Sequence, residues 1–440
     1  MTAPASKRRL FRRRKAPAAL LFAAGFVLLG VLFLIAMAAF PSRAEDAPAS
    51  NIVEEFQRQL DAGTVALAYA SDGHGYLQDL LRTFRIPRES QLLVFSASSL
   101  QFDRISQKTP RALYIRDDIA VGSVHDGRFI EVISTDRNTG VAFYTLDVAK
   151  TDKPRFVRRT SECIICHGFA SRWAPGLMVA NMDTGVNGQL LNLDPSHVFR
   201  LTDDRTAFED RYGGWYVTGH TGAMQHRGNV TLDPQDPSAL PAGGVNVTSL
   251  ADRIDTKRFL EPGSDIVSLL VLEHQAGFVN LVTRINAQYR GLNNTSMVPA
   301  LRATNEDVDA SIQELARYMT FVGEVPLPSP VTGSSTFSKT FPANGPRDGL
   351  GRSLRDFDLQ THLFRFPLSY MVYSQSFDSL NAAAKERIWR RLYDILSASD
   401  RTADAPHVDR TAGAAAIAIL AATKPGLPDY WKPIKTARGI

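Results

Sequence analysis

The chain has 440 residues, only two cysteines and a formal net charge of +5. Seven lysines and arginines lie in the first 15 residues with no acid among them, and five minus seven leaves residues 16–440 with a net charge of −2. That nearly neutral body argues against nucleic-acid binding, and two cysteines cannot build a disulfide framework. We therefore expect a fold held by an ordinary hydrophobic core.

The N-terminal segment has the pattern of a membrane-targeting sequence. Residues 1–17 are basic, and residues 18–40 form an apolar run without a charge. At about 1.5 Å per residue, this run is long enough to cross a bilayer core of about 30 Å. The positive-inside rule keeps the basic end in the cytoplasm, so we expect the rest of the chain on the periplasmic side of a bacterial inner membrane.

Two fates of this segment stay open. The sequence Ser42-Arg43-Ala44 offers a small-x-small cleavage site, whereas the apolar run exceeds the ~7–15 residues of a usual signal sequence. We expect a retained single-pass anchor; cleavage near Ala44 would instead release a periplasmic protein. Residues 41–50 then form a linker, and residues 51–440 form the exported domain.

The first part of the exported domain predicts one helix and then strands. Asn51 suits the N-cap of a helix that runs to Leu60. Between residues 92 and 146, short β-branched and aromatic runs alternate with turn signals rich in Asp, Gly and Asn. This pattern predicts an antiparallel β meander that ends just before the two cysteines.

The two cysteines lie in the pentapeptide Cys163-Ile164-Ile165-Cys166-His167. This C-x-x-C-H spacing is that of covalent haem attachment, in which both thiols form thioethers and the histidine becomes the proximal iron ligand. A zinc site is one alternative, although structural zinc normally needs four ligands. A redox disulfide is another, although the thioredoxin-like βαβ context is missing. Export favours one covalent haem c.

The sixth iron ligand decides the class of haem protein, because His or Met gives a low-spin electron carrier and an open position permits ligand binding or peroxide chemistry. Residues 219–229 hold the densest group of candidates, three within seven residues. We favour His226; the weaker candidates are His220, His274 and Met224, followed by Met178 and Met182.

Other side chains are candidates for packing on the haem or pairing with its propionates. The candidate counter-charges are Arg158, Arg159, Arg172 and Arg227. The candidate aromatic neighbours are Trp173, Trp215 and Tyr216.

Helical patterns dominate the C-terminal part. Residues 266–287 have apolar side chains at helical period, residues 307–321 follow with Thr304 or Asn305 as the cap, and residues 325–351 suggest a long surface loop. Residues 381–397 and 411–423 close the chain as helices. We predict an α+β fold: an N-terminal membrane helix, a β-rich part with the haem motif (90–260) and a mainly helical part (261–440).

Five stretches carry a resemblance to a known family. They are RALYIRDDIAVGSVHDGRFIEVISTDRNTGVAFYTLD (111–147), RRTSECIICHG (158–168), GGWYVTG with the later HRGN (213–229), VLEHQ (271–275) and SLRDFDLQTHLFRFPLSYMVYSQSFDSL (353–380). Over residues 90–430 the chain resembles large monohaem cytochrome c domain-containing proteins of Gram-negative bacteria. The resemblance implies a c-type haem on Cys163, Cys166 and His167, and an exported location. It also favours His226 over His220. The chain does not resemble two-haem peroxidases, because its sequence has a single haem motif.

These observations lead to one expectation of function and two alternatives. We expect an exported, membrane-anchored monohaem c-type cytochrome that passes single electrons to or from a periplasmic or membrane redox protein. The alternatives are a haem enzyme of peroxidase or oxygenase type with an open distal site, and a haem-based sensor. No nucleic-acid partner is expected.

Overall fold

A computed structural model describes residues 49–168, 170–191, 200–236, 243–292, 303–399 and 408–431. The predicted membrane segment, its basic flank and most of the linker lie outside the described residues. The chain from Ser50 onward forms one compact unit, and all the elements below belong to it.

A six-stranded antiparallel sheet organises the first part of this unit. Its strands follow one another in chain order, and each pairs with the next. They are β1 (Leu92–Val94), β2 (Arg111–Arg116), β3 (Ile119–Ser123), β4 (Phe129–Asp136), β5 (Gly140–Asp147) and β6 (Phe156–Arg159). The predicted meander is thus confirmed, with the motif directly after its last strand.

The two faces of the sheet have different roles because side chains alternate along each strand. One face buries Tyr114, Val132 and their neighbours against helices α1 (Ile52–Asp61) and α2 (Leu77–Thr83). The other face is called the motif face here. Strand register places on it Arg111, Leu113, Gly122, Glu131, Phe143, Thr145, Val157 and Arg159.

Helix α1 begins as predicted. The Oδ1 atom of Asn51 accepts hydrogen bonds from the backbone N–H groups of Val53 and Glu54, both at 3.1 Å. The Nδ2 atom of Asn51 donates to the Asp136 carboxylate at 2.8 Å and to the Tyr144 hydroxyl at 2.9 Å. One asparagine therefore caps the helix and ties it to the sheet.

The remaining helices and short strands complete an α+β fold with a mainly helical C-terminal part. The helices are α3 (Ile164–His167), α4 (Ile266–Leu292), α5 (Asn305–Met319), α6 (Phe337–Ala343), α7 (Gln375–Asp378), α8 (Ala382–Leu396) and α9 (Arg410–Thr423). Two-residue strands pair as β7 (Ala180–Asn181) with β8 (Arg200–Leu201), and β9 (Gly219–His220) with β10 (Thr332–Gly333).

One expectation for this part needs correction. Residues 325–351 were expected to be a surface loop, yet they contain β10 and helix α6. Phe337 and Phe341, one helical turn apart, are both buried, and Phe341 packs edge-on against Tyr370 at 5.0 Å between ring centroids. The many proline, serine and glycine residues of this stretch are typical of a loop, and two phenylalanines are too few to show a helical pattern among them.

Helix α4 lies at the centre of the unit. Among the described residues it is the one helix long and apolar enough to cross a bilayer, but it is mostly buried inside the protein, as the core helix of a domain would be. It packs on β5 and on α5. At the start of β5, Gly140 has φ +88°, and a Cβ there would lie 2.2 Å from a methyl group of Thr283. The β-rich and helical parts thus share one interior.

The cap at Asn51 gives a stability prediction. Asn51→Ala removes a helix cap and leaves the buried Asp136 and Tyr144 side chains short of a partner, so we expect the free energy of unfolding to fall by about 3 kcal/mol. Asn381 caps α8 in the same way but is exposed, and Asn381→Ala should cost about 1 kcal/mol. Urea denaturation followed by circular dichroism measures the free energy of unfolding of both variants. An equal loss in the two would contradict the prediction that the buried cap contributes more than the exposed one.

Candidate functional site

The C-x-x-C-H motif forms one helical turn directly after the sheet. The backbone N–H of His167 donates to the Cys163 carbonyl at 3.0 Å, so both residues lie on one face of helix α3. Cys163 is half-buried, Cys166 is exposed, and both are free thiols. Strand β6 and this turn thus present two thiols and an imidazole together at the edge of the motif face.

His167 is held against the motif face of the sheet. Its ring lies 4.7 Å from the Phe143 ring, measured between centroids. Arg111 and Glu131, ion-paired at 2.8 Å, are close enough to influence its charge. Burial lowers the pKa of His167 below its ordinary value. Because a metal binds the neutral form of imidazole, this environment favours the ligating form.

A backbone carbonyl fixes the tautomer of His167. The Nδ1 atom of His167 lies 2.8 Å from the carbonyl oxygen of Gly176, and the Gly176 N–H donates back to the His167 carbonyl at 3.0 Å. A carbonyl can only accept, so Nδ1 carries the hydrogen and Nε2 keeps its lone pair. This arrangement is typical of metal-binding histidines, whose second nitrogen is held by a carbonyl or carboxylate.

Uncovered apolar surface surrounds the motif. Ile165, between the cysteines, is 78% exposed, and Val157 on the motif face is 46% exposed. Gly122 lies in the middle of β3 on the same face, where a Cβ would come within 3.2 Å of Leu113 and Glu131 side-chain atoms. A glycine inside a strand often marks the close approach of another group. The thiols therefore have exposed apolar side chains beside them, whereas Gly122 is covered by its neighbours in the sheet.

The two alternative chemistries of the cysteines find little support in this geometry. Within the described ranges, no three His, Cys, Asp or Glu side chains come together as a metal site. Burial, aided by the negative charges of Glu131 and Glu162, raises the pKa of Cys163 to about 12, and burial also raises the pKa of Cys166. Redox chemistry of the cysteines uses thiolates, which these pKa values disfavour.

His226, the favoured distal candidate, is 6% exposed. Its Nδ1 atom accepts a hydrogen bond from the Gly228 N–H at 3.1 Å, so its Nε2 atom carries the hydrogen. That Nε2 atom is buried and has no hydrogen-bond partner among the described residues. As it stands, His226 offers a buried N–H donor, and ligation through Nε2 would require the ring to turn or the Gly228 bond to break.

His226 belongs to a segment that packs against the residues following the motif. The indole N–H of Trp215 donates to the Ala180 carbonyl at 3.0 Å, and Arg227 pairs with Asp183 at 2.9 Å. The ring of Tyr212 stands edge-on to His226 at 5.6 Å. No hydrogen bond or ring contact between described residues joins His226 directly to His167.

The structure argues against a ligand role for His274. Both of its ring nitrogens are engaged: Nδ1 with the Asp204 carboxylate at 2.8 Å, and Nε2 with the Ser369 hydroxyl at 2.6 Å. The order of these bonds is that of a Ser-His-Asp triad. However, Ser369 is fully buried and its Oγ already accepts from the Met371 N–H at 3.2 Å, so no substrate reaches it. The cluster is a polar part of the core.

The weaker ligand candidates lie in different surroundings. His220 is exposed in β9, whereas Met224 is fully buried in the core. Met178 and Met182 are half-buried on the stretch that follows the motif. In the described part of the chain, no hydrogen bond joins any of these residues to His167.

Two of the arginines expected to pair with the haem propionates, Arg158 and Arg159, lie on opposite faces of the sheet. Arg158 lies on the face opposite His167, paired with Glu54 at 2.7 Å, which corrects its assignment as a propionate partner. Arg159 lies on the motif face, where its Nε donates to the Thr145 hydroxyl at 2.9 Å. Register explains the difference, because neighbouring residues of a strand point in opposite directions.

The other predicted haem neighbours are mostly engaged elsewhere. Arg227 is paired with Asp183, whereas Arg172 is exposed. Trp215 is buried, and Tyr216 donates to the Gln107 carbonyl at 2.8 Å and packs on Phe95, so both belong to the core. Trp173, half-buried just after the motif, stays a candidate for packing on the haem.

Sequence reasoning missed several residues that surround His167. Arg111, Glu131 and Phe143 could have been found by carrying the strand alternation across the predicted meander. Gly176 and Asn280 had no such signal. Asn280, on α4, accepts from the Leu177 N–H at 2.7 Å and donates to the Leu177 carbonyl at 2.9 Å.

Comparisons of the chain with protein-family models, with curated proteins and with solved structures found no match. The functional argument therefore depends on the chemistry of the residues and on their geometry.

The environment of His226 predicts a pH dependence. Burial lowers its pKa to about 4 from an ordinary 6.5, so between these values the unfolded chain binds a proton that the folded chain does not. The free energy of unfolding should therefore fall by up to about 3 kcal/mol between pH 6.5 and pH 4.

Urea denaturation at several pH values tests this in a haem-free chain with Cys163→Ser and Cys166→Ser. His226→Gln should flatten the pH dependence, whereas His220→Gln, at an exposed histidine, should leave it unchanged. An unaltered slope in His226→Gln would contradict the prediction.

Proposed function

We propose that this protein is an exported, membrane-anchored monohaem c-type cytochrome that transfers single electrons. The observation that carries the proposal is the state of His167: its Nδ1–H is held by the Gly176 carbonyl, which leaves the lone pair on Nε2, beside two thiols on the same helical turn. Export and anchoring rest on the basic and apolar N-terminal pattern. Haem c, when bound, supplies a one-electron Fe(III)/Fe(II) couple.

Each residue of the motif has a defined task in this proposal. Cys163 and Cys166 would hold the haem through thioether bonds, for which their S–H groups add across the two vinyl groups. His167 would be the proximal iron ligand. Phe143 packs against its imidazole and limits rotation of the ring. The apolar side chains of Val157 and Leu113, on the same face of the sheet, would exclude water from one side of the haem.

The position of the motif also supports exchange of electrons with a partner. Cys166 and Ile165 are exposed, so a group attached at this turn would have an edge near the surface. A periplasmic or membrane redox protein could approach that edge without any rearrangement of the core. The nearly neutral exported body, with a net charge of −2 beyond residue 15, does not restrict the partner to one sign of charge.

A second candidate function is favoured by one observation. The Nε2–H of His226 is a buried donor without a partner among the described residues, which suits a group that hydrogen-bonds to a molecule held at an open iron position better than it suits an iron ligand. A haem enzyme of peroxidase or oxygenase type, or a haem-based sensor, would use the residue in this way.

The haem proposal is tested by expression with a c-type maturation system. The wild-type chain should keep one haem after denaturation, and the double variant Cys163→Ala/Cys166→Ala should keep none, because both covalent attachments are lost. His220→Ala, at an exposed residue away from the motif, serves as the control and should keep its haem. In-gel haem staining and the pyridine haemochrome spectrum measure the covalently bound haem. A wild-type chain without covalent haem would contradict the proposal.

The spectrum of the loaded protein separates the two functions. An electron carrier should be six-coordinate and low-spin in the ferric state and should not bind carbon monoxide in the ferrous state. His226→Ala should then convert the ferric spectrum to high-spin if His226 ligates iron, whereas Met224→Ala should not. A high-spin wild type that readily binds carbon monoxide would instead support the open-site alternative.

A further inference from the structure

One peptide group links His167 to the central helix α4. Its carbonyl oxygen, on Gly176, accepts from Nδ1 of His167 at 2.8 Å, and its N–H, on Leu177, donates to Oδ1 of Asn280 at 2.7 Å. A trans peptide is planar, and its C=O and N–H point in opposite directions. The imidazole of His167 and the side chain of Asn280 therefore bind opposite sides of the same rigid peptide group.

The asparagine is bound to this loop in two places. Its Nδ2 atom also donates to the Leu177 carbonyl at 2.9 Å, so one side chain satisfies both the N–H and the C=O of Leu177. Only a primary amide carries a donor and an acceptor in this arrangement. The contact is close: a Cβ on Gly176 would lie 2.3 Å from Oδ1 of Asn280. The loop can thus meet the helix only with glycine at this position.

We propose that Asn280 is a positioning residue for the proximal ligand. It holds the Gly176 carbonyl in line with Nδ1 of His167, and by accepting from the same amide it makes that carbonyl a stronger acceptor. A stronger acceptor at Nδ1 increases the electron donation of the imidazole through Nε2. This inference rests on the proposed function, because it concerns the ligand of a haem iron.

The first test uses the haem-loaded, full-length protein. Asn280→Leu, of similar size but without hydrogen bonds, should raise the Fe(III)/Fe(II) midpoint potential, because a weaker donor stabilises ferric iron less. Asn286→Leu is the matched control: this asparagine, on the same helix, accepts from the Asn381 N–H at 2.9 Å and does not contact the loop. The control should keep the wild-type potential. If Asn280→Leu does not fold, Asn280→Ala removes the same bonds without the bulk.

The second test needs no haem. In a full-length chain with Cys163→Ser and Cys166→Ser, amide hydrogen exchange of Leu177 should be about tenfold faster after Asn280→Leu, because the N–H loses its partner. Asn280→Asp, which keeps the acceptor oxygen, should retain most of the protection. In the control variant Asn286→Leu, the amide hydrogen of Leu177 should exchange at the same rate as in the parent chain.

The two measurements separate failure of this inference from failure of the proposed function. A wild-type chain that carries no covalent haem overturns the proposed function, and the exchange rate of Leu177 then decides whether Asn280 holds the loop. A haem-loaded Asn280→Leu or Asn280→Ala chain with the wild-type midpoint potential overturns the inference and leaves the proposed function standing.

Discussion

The structure depends on the burial of helix α4, which carries polar side chains into the interior. Glu273, His274 and Gln275 are all at most 3% exposed. A buried polar group without a partner costs free energy, and a buried charge costs more. Segments that are distant in sequence must therefore pack against this helix and supply hydrogen-bond or ion-pair partners for its polar side chains. The same segments surround the candidate site.

Each polar position of α4 fixes a different segment. Glu273 accepts from Arg211 and from the Tyr212 hydroxyl, both at 2.9 Å, and Tyr212 in turn borders His226. His274 binds Asp204 and Ser369. One heptad beyond Glu273, Asn280 binds the loop that holds His167. Positions seven apart lie on nearly the same side of a helix, so one face of α4 supports the neighbourhoods of His167 and His226.

Local features could be predicted from the sequence, because short-range rules determine them. The strands of the meander are joined by turns with clear signals, the cap of α1 is a single asparagine, and the helical period of α4 is plain. Partners far along the chain could not be predicted: His274 lies 70 residues from Asp204 and 95 from Ser369. The choice between Arg158 and Arg159 depended on strand register, where a shift of one residue reverses the face.

The meander has a consequence for the order of assembly. Every strand of the main sheet pairs with its neighbour in the chain, so this sheet can close through short-range contacts as soon as β6 is available for pairing. Asn280, by contrast, lies 103 residues beyond Leu177. When the chain emerges from its N-terminus to its C-terminus, the cysteines would stand beside a finished sheet before α4 arrives to fix the loop behind them. Under the proposed function, haem attachment would then act on thiols that are already presented but not yet enclosed.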